Sequence, residues 1–159
     1  MGHRNIQGLA YDDETNTLWE HEHGPRGGDE LNIISGGGNH GWPIVTKGVD
    51  YNGARISPFE EKEEFTEPVY SWVPSIAPSG LVIYRGDMFL DWNGDALIGG
   101  LASRDLRRVD LEGGEALGET DLLSDLDLRI RDVHVAEDGS VLLLTDDPEN
   151  GQLLRMTPK

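Results

Sequence analysis

The 159-residue chain lacks cysteine altogether, and it lacks any long uninterrupted run of apolar residues. Without cysteine there is neither a disulfide scaffold nor a thiolate metal site. A membrane-spanning helix needs about 20 predominantly apolar residues, so none is predicted. No basic segment followed by an apolar stretch opens the chain, and we expect no signal peptide in it.

Lysine is scarce, at positions 47, 62 and 159, and acidic residues outnumber basic ones by 30 to 13. The formal net charge of −17 repels nucleic-acid phosphates and anionic lipids. We therefore expect neither a nucleic-acid partner nor a membrane partner. A solvated acidic exterior is the ordinary interpretation of such a charge, and adaptation to salt or attraction of cations are the alternatives.

Glycine and proline, in contrast, are abundant, with 21 and 8 residues, and short apolar runs lie between them. The order strand, turn, strand, loop, strand recurs at residues 8–34, 80–111 and 132–156. This repeat predicts an all-β chain that forms a single domain over residues 1–159. It is typical of the blades of a β-propeller, although the uneven spacing alone leaves a β-sandwich open.

One segment does not follow the repeat. Residues 44–74 are rich in glutamate, proline and aromatic residues. We expect them to supply a fourth strand and an excursion over the top face of the propeller. Within them, residues 58–67 are the only weak candidate for an amphipathic helix.

Polar side chains are concentrated near the start of the chain. Arg4 offers a planar fork for a carboxylate, and Asn5 and Gln7 offer paired donors and acceptors. On a strand, Asn5 and Gln7 would share one face and Arg4 would point to the other. The set suits a small ligand that carries carboxylates, and a polar cap on a strand is the ordinary alternative.

Two nearby segments hold candidate ligands for a hard cation. Proline restricts its own backbone and that of the preceding residue, so Gly24-Pro25 can hold carbonyl oxygens in a fixed orientation. Carbonyl oxygens are ligands that Ca²⁺ accepts. Glu30 and a carbonyl near His40 could form a second, structural calcium site. The alternatives are an ordinary turn and a solvated or salt-bridged carboxylate.

The histidines invite a zinc interpretation that the spacing does not favour. His21 and His23 would project to one face of a strand, but a zinc site there lacks a third ligand. The other histidines lie at no local metal spacing: His3, His40 and His134. We expect one of His21 and His23 to line the site and the other to face a neighbouring strand.

A positive patch is predicted in the last third of this acidic chain. Arg129 and Arg131 would share one face of a strand. Two guanidinium groups side by side favour anion binding. A surface ion pair between Arg131 and Asp132 is the alternative.

Five motifs follow one another along the chain: GHRNxQG at 2–8, EHGPxGGDELN at 22–32, GGNxGWP at 37–43, APSG at 77–80 and RxRDV at 129–133. As a set they resemble the soluble aldose sugar dehydrogenases that use pyrroloquinoline quinone (PQQ), in the quinoprotein glucose/sorbosone dehydrogenase family. The resemblance runs from about Gly2 to Arg155. It implies about three four-stranded blades of a six-bladed β-propeller. It also implies PQQ and calcium as cofactors, and oxidation of the C1 hydroxyl of a sugar to a lactone.

The resemblance also implies roles for individual residues. Those that would bind the quinone are Arg4, Asn5, Gln7, Tyr51, Ala102, Arg129 and Arg131. Those that would bind calcium are Gly24 and Pro25 beside the quinone, and Glu30 and His40 at a structural site. The family usually has tyrosine at the position of His40. Ser75 falls where the glucose-dehydrogenase branch has a hydroxyl, and Ala102 replaces a lysine of that branch, which favours the aldose-dehydrogenase branch.

One expected feature has no match. In the family the general-base histidine lies well upstream of the GHRN motif, and none of the five histidines here corresponds to it. We therefore expect a C-terminal half of a propeller, ending naturally at Lys159, with no catalytic residue and no activity alone. The alternatives are a non-catalytic calcium-binding or protein-interaction module, and a piece cut from a longer enzyme.

The same resemblance predicts partners and a compartment. An aldose sugar would bind once the missing half completes the site. That half would be a second copy of the chain, in a homodimer that closes the ring, or a complementing N-terminal half. The location would be periplasmic or secreted.

Overall fold

The computed structural model describes residues 1–158, and within them the chain is all-β. Eleven strands form three antiparallel sheets, and the helical content is two single 3₁₀ turns. The chain divides into two compact units, one over Met1–Ala77 and one from Pro78 onward. No helix among the described residues is long and apolar enough to span a membrane. The all-β prediction is thus confirmed.

The first unit contains one four-stranded sheet in the order β1-β2-β3-β4. Its strands are β1 (Ile6–Asp12), β2 (Thr17–Glu22), β3 (Asp29–Ile33) and β4 (Tyr70–Trp72). Each strand pairs antiparallel with the next, as expected for a propeller blade. Residues 34–69, between β3 and β4, contain no strand or helix, so the fourth strand and the excursion are both present and the weak helix at 58–67 is not.

The register between β2 and β3 separates an apolar face from a polar one. His21 lies opposite Leu31, whereas Glu20 lies opposite Asn32 and Glu22 opposite Glu30. Because side chains alternate along a strand and cross-strand partners share a face, the last two pairs lie on the same side of the sheet. The sheet therefore gathers three glutamates and one asparagine at one place, and Glu20, Glu22 and Asn32 are buried there.

The excursion returns to the start of the chain and fixes it. The N–H of His40 donates to the carbonyl of Met1 at 2.9 Å, and the N–H of Trp42 donates to that of Gly2 at 2.8 Å. These two bonds hold residues 1–4 beside the loop that precedes Pro43. Segments that are 40 residues apart in the sequence thus become neighbours on the polar face of the sheet.

The second unit contains two sheets, ordered β5-β6-β7-β8 and β11-β10-β9. The strands of the first are β5 (Pro78–Ile83), β6 (Ala96–Gly100), β7 (Leu106–Glu112) and β8 (Glu115–Leu122). Those of the second are β9 (Ile130–Val135), β10 (Val141–Thr145) and β11 (Leu153–Met156). The third sheet therefore has three strands among the described residues instead of four.

Apolar residues of both sheets form one core in the second unit. Its fully or nearly fully buried members are Tyr84, Leu97, Leu106, Ile130, Val133, Val141 and Leu143. The strand β6 is buried along its whole length because it lies between β5 and β7. Burying a side chain of this size contributes about 1.5–3 kcal/mol, so this core dominates the stability of the unit.

Strand β8 is the element that the sequence did not reveal. Its residues, EALGETDL, are acidic and weakly apolar, and half of them are exposed. It pairs with β7 along its whole length. Arg107 on β7 binds Glu119 and Asp121 on β8, the latter at 2.7 Å. Ion pairs across the strands thus add to the backbone pairing of this edge strand, and hydrophobic periodicity detects neither.

Candidate functional site

In the first unit the side chain of Arg4 meets two successive backbone carbonyls. Its Nη1 donates to the carbonyl oxygens of His23 and Gly24, at 2.9 Å each. The guanidinium lies 5.4 Å from the centre of the Trp42 ring, and Nη2 is 3.3 Å from the Tyr51 hydroxyl. Arg4 thus joins three predicted site segments, and the two carbonyls converge on one positively charged group.

The buried carboxylate of Asp29 fixes the loop that carries these carbonyls. Asp29 Oδ1 accepts hydrogen bonds from the N–H of Gly24 and the hydroxyl of Ser75, and Oδ2 accepts one from the N–H of Ala77, all at 2.9 Å. Ser75 Oγ in turn accepts a hydrogen bond from the N–H of Gly27 at 3.0 Å. The orientation of the Gly24 carbonyl is therefore set by Asp29.

Close packing makes glycine obligatory at position 24. A Cβ atom there would lie 2.2 Å from the carbonyl oxygen of Gly27 and 2.4 Å from that of Gly28. Both Gly24 and Pro25 are buried. The Gly24-Pro25 turn is thus a tightly packed, fixed structure, as the sequence predicts for this dipeptide.

Glu30 and His40, the other predicted metal residues, meet through Asn32. Asn32 Nδ2 donates to Glu30 Oε2 at 3.4 Å and to Glu20 Oε1 at 3.2 Å. Asn32 Oδ1 lies 3.3 Å from Nδ1 of His40. His40 also stacks on His3, with ring centres 4.3 Å apart. The structure therefore brings together two residues that the sequence pairs, and it adds Asn32, Glu20 and His3 to them.

The group around Asn32 concentrates several carboxylates in a buried position. Burial and, to a smaller extent, the neighbouring Glu22 carboxylate raise the pKa of Glu20 to about 8. The same two causes raise the pKa of Glu30 to about 7. Burial and the neighbouring His3 lower the pKa of His40 to about 4. Holding several carboxylates ionised here requires a compensating positive charge.

A small cavity opens at this group. Its lining includes Arg4, Glu22, Glu30, His40 and the Gly24 backbone, and it has room for a water-sized species. His23 also lines it, whereas His21 is fully buried in the sheet. The cavity is thus bounded by carboxylates and by the predicted metal-binding turn.

Asn5 and Gln7 lie beside this group and share a face, as their spacing predicts. Gln7 Nε2 donates to Asn5 Oδ1 at 3.0 Å, and both side chains are exposed. Tyr51 is also exposed, by 70%. These three side chains are therefore accessible to a ligand near Arg4.

The remaining predicted cofactor residues form a separate group in the second unit. Arg129 donates to Asp146 Oδ2 through Nε at 2.9 Å and Nη2 at 2.6 Å, and Arg131 Nη2 lies 3.1 Å from Asp146 Oδ1. Arg129 Nη1 also donates to the carbonyl of Leu101 at 3.0 Å, next to the exposed Ala102. The hydrogen bonds from Arg129 and Arg131 lower the pKa of Asp146. Both arginines are thus oriented by a carboxylate 15 or more residues away.

Several residues of these groups were not identified from the sequence: His3, Glu20, Glu22, Asp29, Asn32 and Asp146. For Glu20 and Glu22 a signal existed, because alternating glutamates on a strand that is otherwise buried place two carboxylates on one face. For Asp29 and Asp146 no local signal existed, since their partners come from distant segments.

Comparison with known proteins gives the family. The family model described as Glucose / Sorbosone dehydrogenase matches residues 1–155. The chain therefore belongs to the glucose/sorbosone dehydrogenase family, as its motifs indicate. An aldose sugar dehydrogenase of Escherichia coli is 40% identical over 162 residues, which cover 99% of this chain and 43% of that protein.

Solved structures agree with the fold. A crystal structure of a glucose dehydrogenase is 42% identical and superimposes with a TM-score of 0.94, over 99% of this chain and 46% of that one. The PQQ-bound form of an aldose sugar dehydrogenase from Streptomyces coelicolor is 28% identical, with a TM-score of 0.72 over 97% of this chain and 43% of that one. The chain thus spans less than half the length of these relatives.

Proposed function

We propose that this chain supplies calcium and quinone contacts to a PQQ-dependent aldose sugar dehydrogenase, which oxidises the C1 hydroxyl of a sugar to a lactone. The observation that carries the proposal is the convergence of the His23 and Gly24 carbonyls on one cationic group, the guanidinium of Arg4. Family membership and the PQQ-bound relative support it. The chemistry that PQQ supplies when bound is the acceptance of a hydride.

The donor set fits calcium. Ca²⁺ prefers hard oxygen ligands, including backbone carbonyls and carboxylates. Gly24 and Pro25 would hold the ion beside the quinone, on a turn that Asp29 fixes from below. Glu30 and the His40 backbone would hold the structural ion, next to Asn32. Replacement of the usual tyrosine by His40 leaves a main-chain oxygen ligand unchanged.

The side chains around Arg4 fit a ligand that carries carboxylates. Arg4 presents a guanidinium fork, and the exposed amides of Asn5 and Gln7 present further donors. The Trp42 ring beside Arg4 offers an aromatic face for a planar molecule. In the second unit, Arg129 and Arg131 beside Ala102 would add positive charge. These residues would bind and orient the quinone, and none of them is placed to act as a general base.

Among residues 1–158 we therefore assign no acceptor for the proton of the sugar hydroxyl. A positioned general base contributes about 10²–10⁴-fold to such a reaction. We propose that the chain alone, given PQQ and calcium, does not oxidise sugars at enzymatic rates. Rapid dye-linked oxidation of glucose by the isolated chain would contradict this.

The binding half of the proposal is tested by titrating PQQ into the chain with and without calcium, followed through tryptophan fluorescence. We expect weak, calcium-dependent binding. Arg4→Leu should weaken it about tenfold or more, because a hydrogen bond to a charged group contributes about 1.5–3 kcal/mol. The matched control is Arg26→Leu, since Arg26 is an exposed arginine on the same loop.

The outcomes distinguish a role in quinone binding from that of a non-catalytic calcium-binding module. Equal PQQ binding by the parent chain and Arg4→Leu, or no PQQ binding at all, would contradict a quinone site. Calcium binding that is lost in Glu30→Gln, without any PQQ binding, would favour the non-catalytic calcium-binding module instead. If neither the parent chain nor Glu30→Gln responds to calcium, both the quinone-dependent function and the calcium-binding module are contradicted.

We further propose that a partner covers apolar strand faces that remain exposed in each unit. In the second unit Leu144 and Leu153 lie opposite each other on β10 and β11 and are exposed by 46% and 70%. In the first unit Leu9 on β1 is exposed by 62%. The partner would be a second copy of the chain or a chain carrying the other blades, in a periplasmic or secreted setting. Light scattering that finds a monomer at all salt concentrations would contradict a homodimer.

A further inference from the structure

Beside the residues assigned to calcium lies a second group with different chemistry. Glu20 and Glu22 project from one face of β2, and the start of the chain places His3 against both. His3 Nδ1 lies 2.8 Å from Glu20 Oε1 and 3.4 Å from Glu22 Oε1. The three ligand atoms lie within 4.8 Å of one another. An imidazole nitrogen and two carboxylate oxygens thus converge on one point.

The Glu20 carboxylate is not fully satisfied by the protein. The residue has no exposed surface. Its Oε1 faces His3 and Asn32, while its Oε2 is buried and has no hydrogen-bond partner within residues 1–158. A buried carboxylate oxygen without a partner costs free energy, and native proteins avoid it unless an ion, a water or a function accounts for it. Both oxygens belong to one carboxylate, so the side chain that contacts His3 is only partly satisfied by the protein.

Two cationic side chains near this group, Arg4 and Lys47, donate their hydrogen bonds to other acceptors within residues 1–158. Arg4 donates its side-chain hydrogen bonds to the His23 and Gly24 carbonyls. Lys47 donates to the Ser71 hydroxyl at 2.9 Å. Glu22 Oε2 accepts hydrogen bonds from the backbone N–H groups of Arg4 and Asn5, which leaves Oε1 directed to His3. A cation at the convergence point would complete the group.

We propose that His3, Glu20 and Glu22 form a binding site for a first-row divalent transition-metal ion, with Zn²⁺ as the expected occupant. Zinc accepts imidazole nitrogen and carboxylate oxygen at about 2.0–2.2 Å, which separates tetrahedral ligands by about 3.3–3.5 Å. The distance of 3.4 Å between His3 Nδ1 and Glu22 Oε1 already matches. The 2.8 Å between His3 Nδ1 and Glu20 Oε1 is short of it, so Glu20 would shift by several tenths of an ångström.

This site is distinct from the calcium sites in both ligands and chemistry. Ca²⁺ takes oxygen ligands at longer distances and in larger number. The imidazole of His3 selects instead for the softer transition metals. Protein ligands number three here, and a solvent molecule would supply a fourth; one of the three, Glu22, also lines the water-sized cavity. The proposal does not depend on the quinone or on the sugar reaction.

Isothermal titration of the metal-stripped chain with ZnCl₂ tests the site, with MnCl₂, MgCl₂ and CaCl₂ as competitors. We expect one zinc ion per chain, not displaced by millimolar calcium. His3→Ala and Glu20→Gln should each weaken zinc binding at least tenfold. The matched controls are His134→Ala and Glu112→Gln, which alter exposed residues of the second unit.

A second readout guards against variants that fail to fold. Thermal unfolding without metal should show that Glu20→Gln is as stable as the parent chain or more so, while zinc should raise the midpoint of the parent only. Zinc binding that persists unchanged in His3→Ala and Glu20→Gln would overturn the proposal. So would the absence of saturable zinc binding, or displacement of zinc by calcium at these residues. Glu30→Gln reports separately on the structural calcium site.

Discussion

Replacing Asp29 by asparagine should destabilise the turn that contains the Gly24 carbonyl. Asp29 is 1% exposed, and its two oxygens accept three hydrogen bonds of 2.9 Å, from Gly24, Ser75 and Ala77. Asparagine has the same shape but only one acceptor oxygen. In either orientation of the asparagine side chain, its NH₂ group would replace one of the two acceptor oxygens. The NH₂ group would then face the donors of Gly24 and Ser75, or the N–H of Ala77. At least one buried N–H or O–H is then left without a partner.

The size of the effect follows from these contacts. Hydrogen bonds to a charged group contribute about 1.5–3 kcal/mol each, and a buried unsatisfied donor costs about 1–3 kcal/mol. Losing one such bond and weakening the rest should lower the free energy of unfolding by about 2–4 kcal/mol. For a chain of this length, that corresponds to a fall in the melting temperature of roughly 5–15 °C.

Urea and thermal unfolding followed by circular dichroism measure this effect. Asp13→Asn is the matched control, because Asp13 is an exposed aspartate in the turn between β1 and β2. We expect the control to change stability by less than about 0.5 kcal/mol. If Asp29→Asn changes the stability as little as the control does, Asp29 does not hold the turn. Calcium titration of the same variants should show a weaker response for Asp29→Asn alone.

Two further changes test the other buried polar groups. In metal-free buffer the parent chain should lose stability as the pH rises from 4.5 to 8. Burial raises the pKa of Glu20 from 4.5 to about 8, so the folded state binds the Glu20 proton more tightly than the unfolded state does. Glu20→Gln removes this proton and should flatten the pH dependence of the free energy of unfolding. A parent chain equally stable at pH 5 and pH 8 would contradict this. Tyr84→Phe should cost about 1–3 kcal/mol, measured by urea unfolding, because the Tyr84 hydroxyl donates to the Gly139 carbonyl at 2.7 Å and accepts from the N–H of Phe89 at 3.1 Å. The exposed Tyr11→Phe is its control, and equal losses would refute the assigned role.

Local patterns were sufficient to predict most of the strands. The short apolar run from Val141 to Thr145, which follows the turn at residues 137–139, forms β10 as predicted. The prolines and glycines that separate the runs mark the turns. Strand β8 escaped prediction because its residues lack a clear apolar period, while its pairing with β7 and the contacts of Arg107 with Glu119 and Asp121 arise only in the fold.

Motifs alone indicated the family and part of the two polar groups, because His3, Glu20, Glu22 and Asp146 were not assigned to them from the sequence. The Gly24-Pro25 turn and the Asn5–Gln7 pair lie as their spacing predicts. The assigned roles in binding PQQ and calcium stay predictions until the titrations are done. The isolated-chain activity and the oligomeric state stay predictions as well.

Only the tertiary structure decided what surrounds these residues. The β2–β3 register set Glu20, Glu22, Glu30 and Asn32 on one face, and the loop that returns to Met1 brought His3 against them. A strand pattern shows which residues share its own face, but not which distant segment packs on it, because the free energy of that packing comes from contacts between segments. The sequence by itself therefore determined most of the strands, the turns between them and the family. The fold decided that the buried carboxylates meet a histidine.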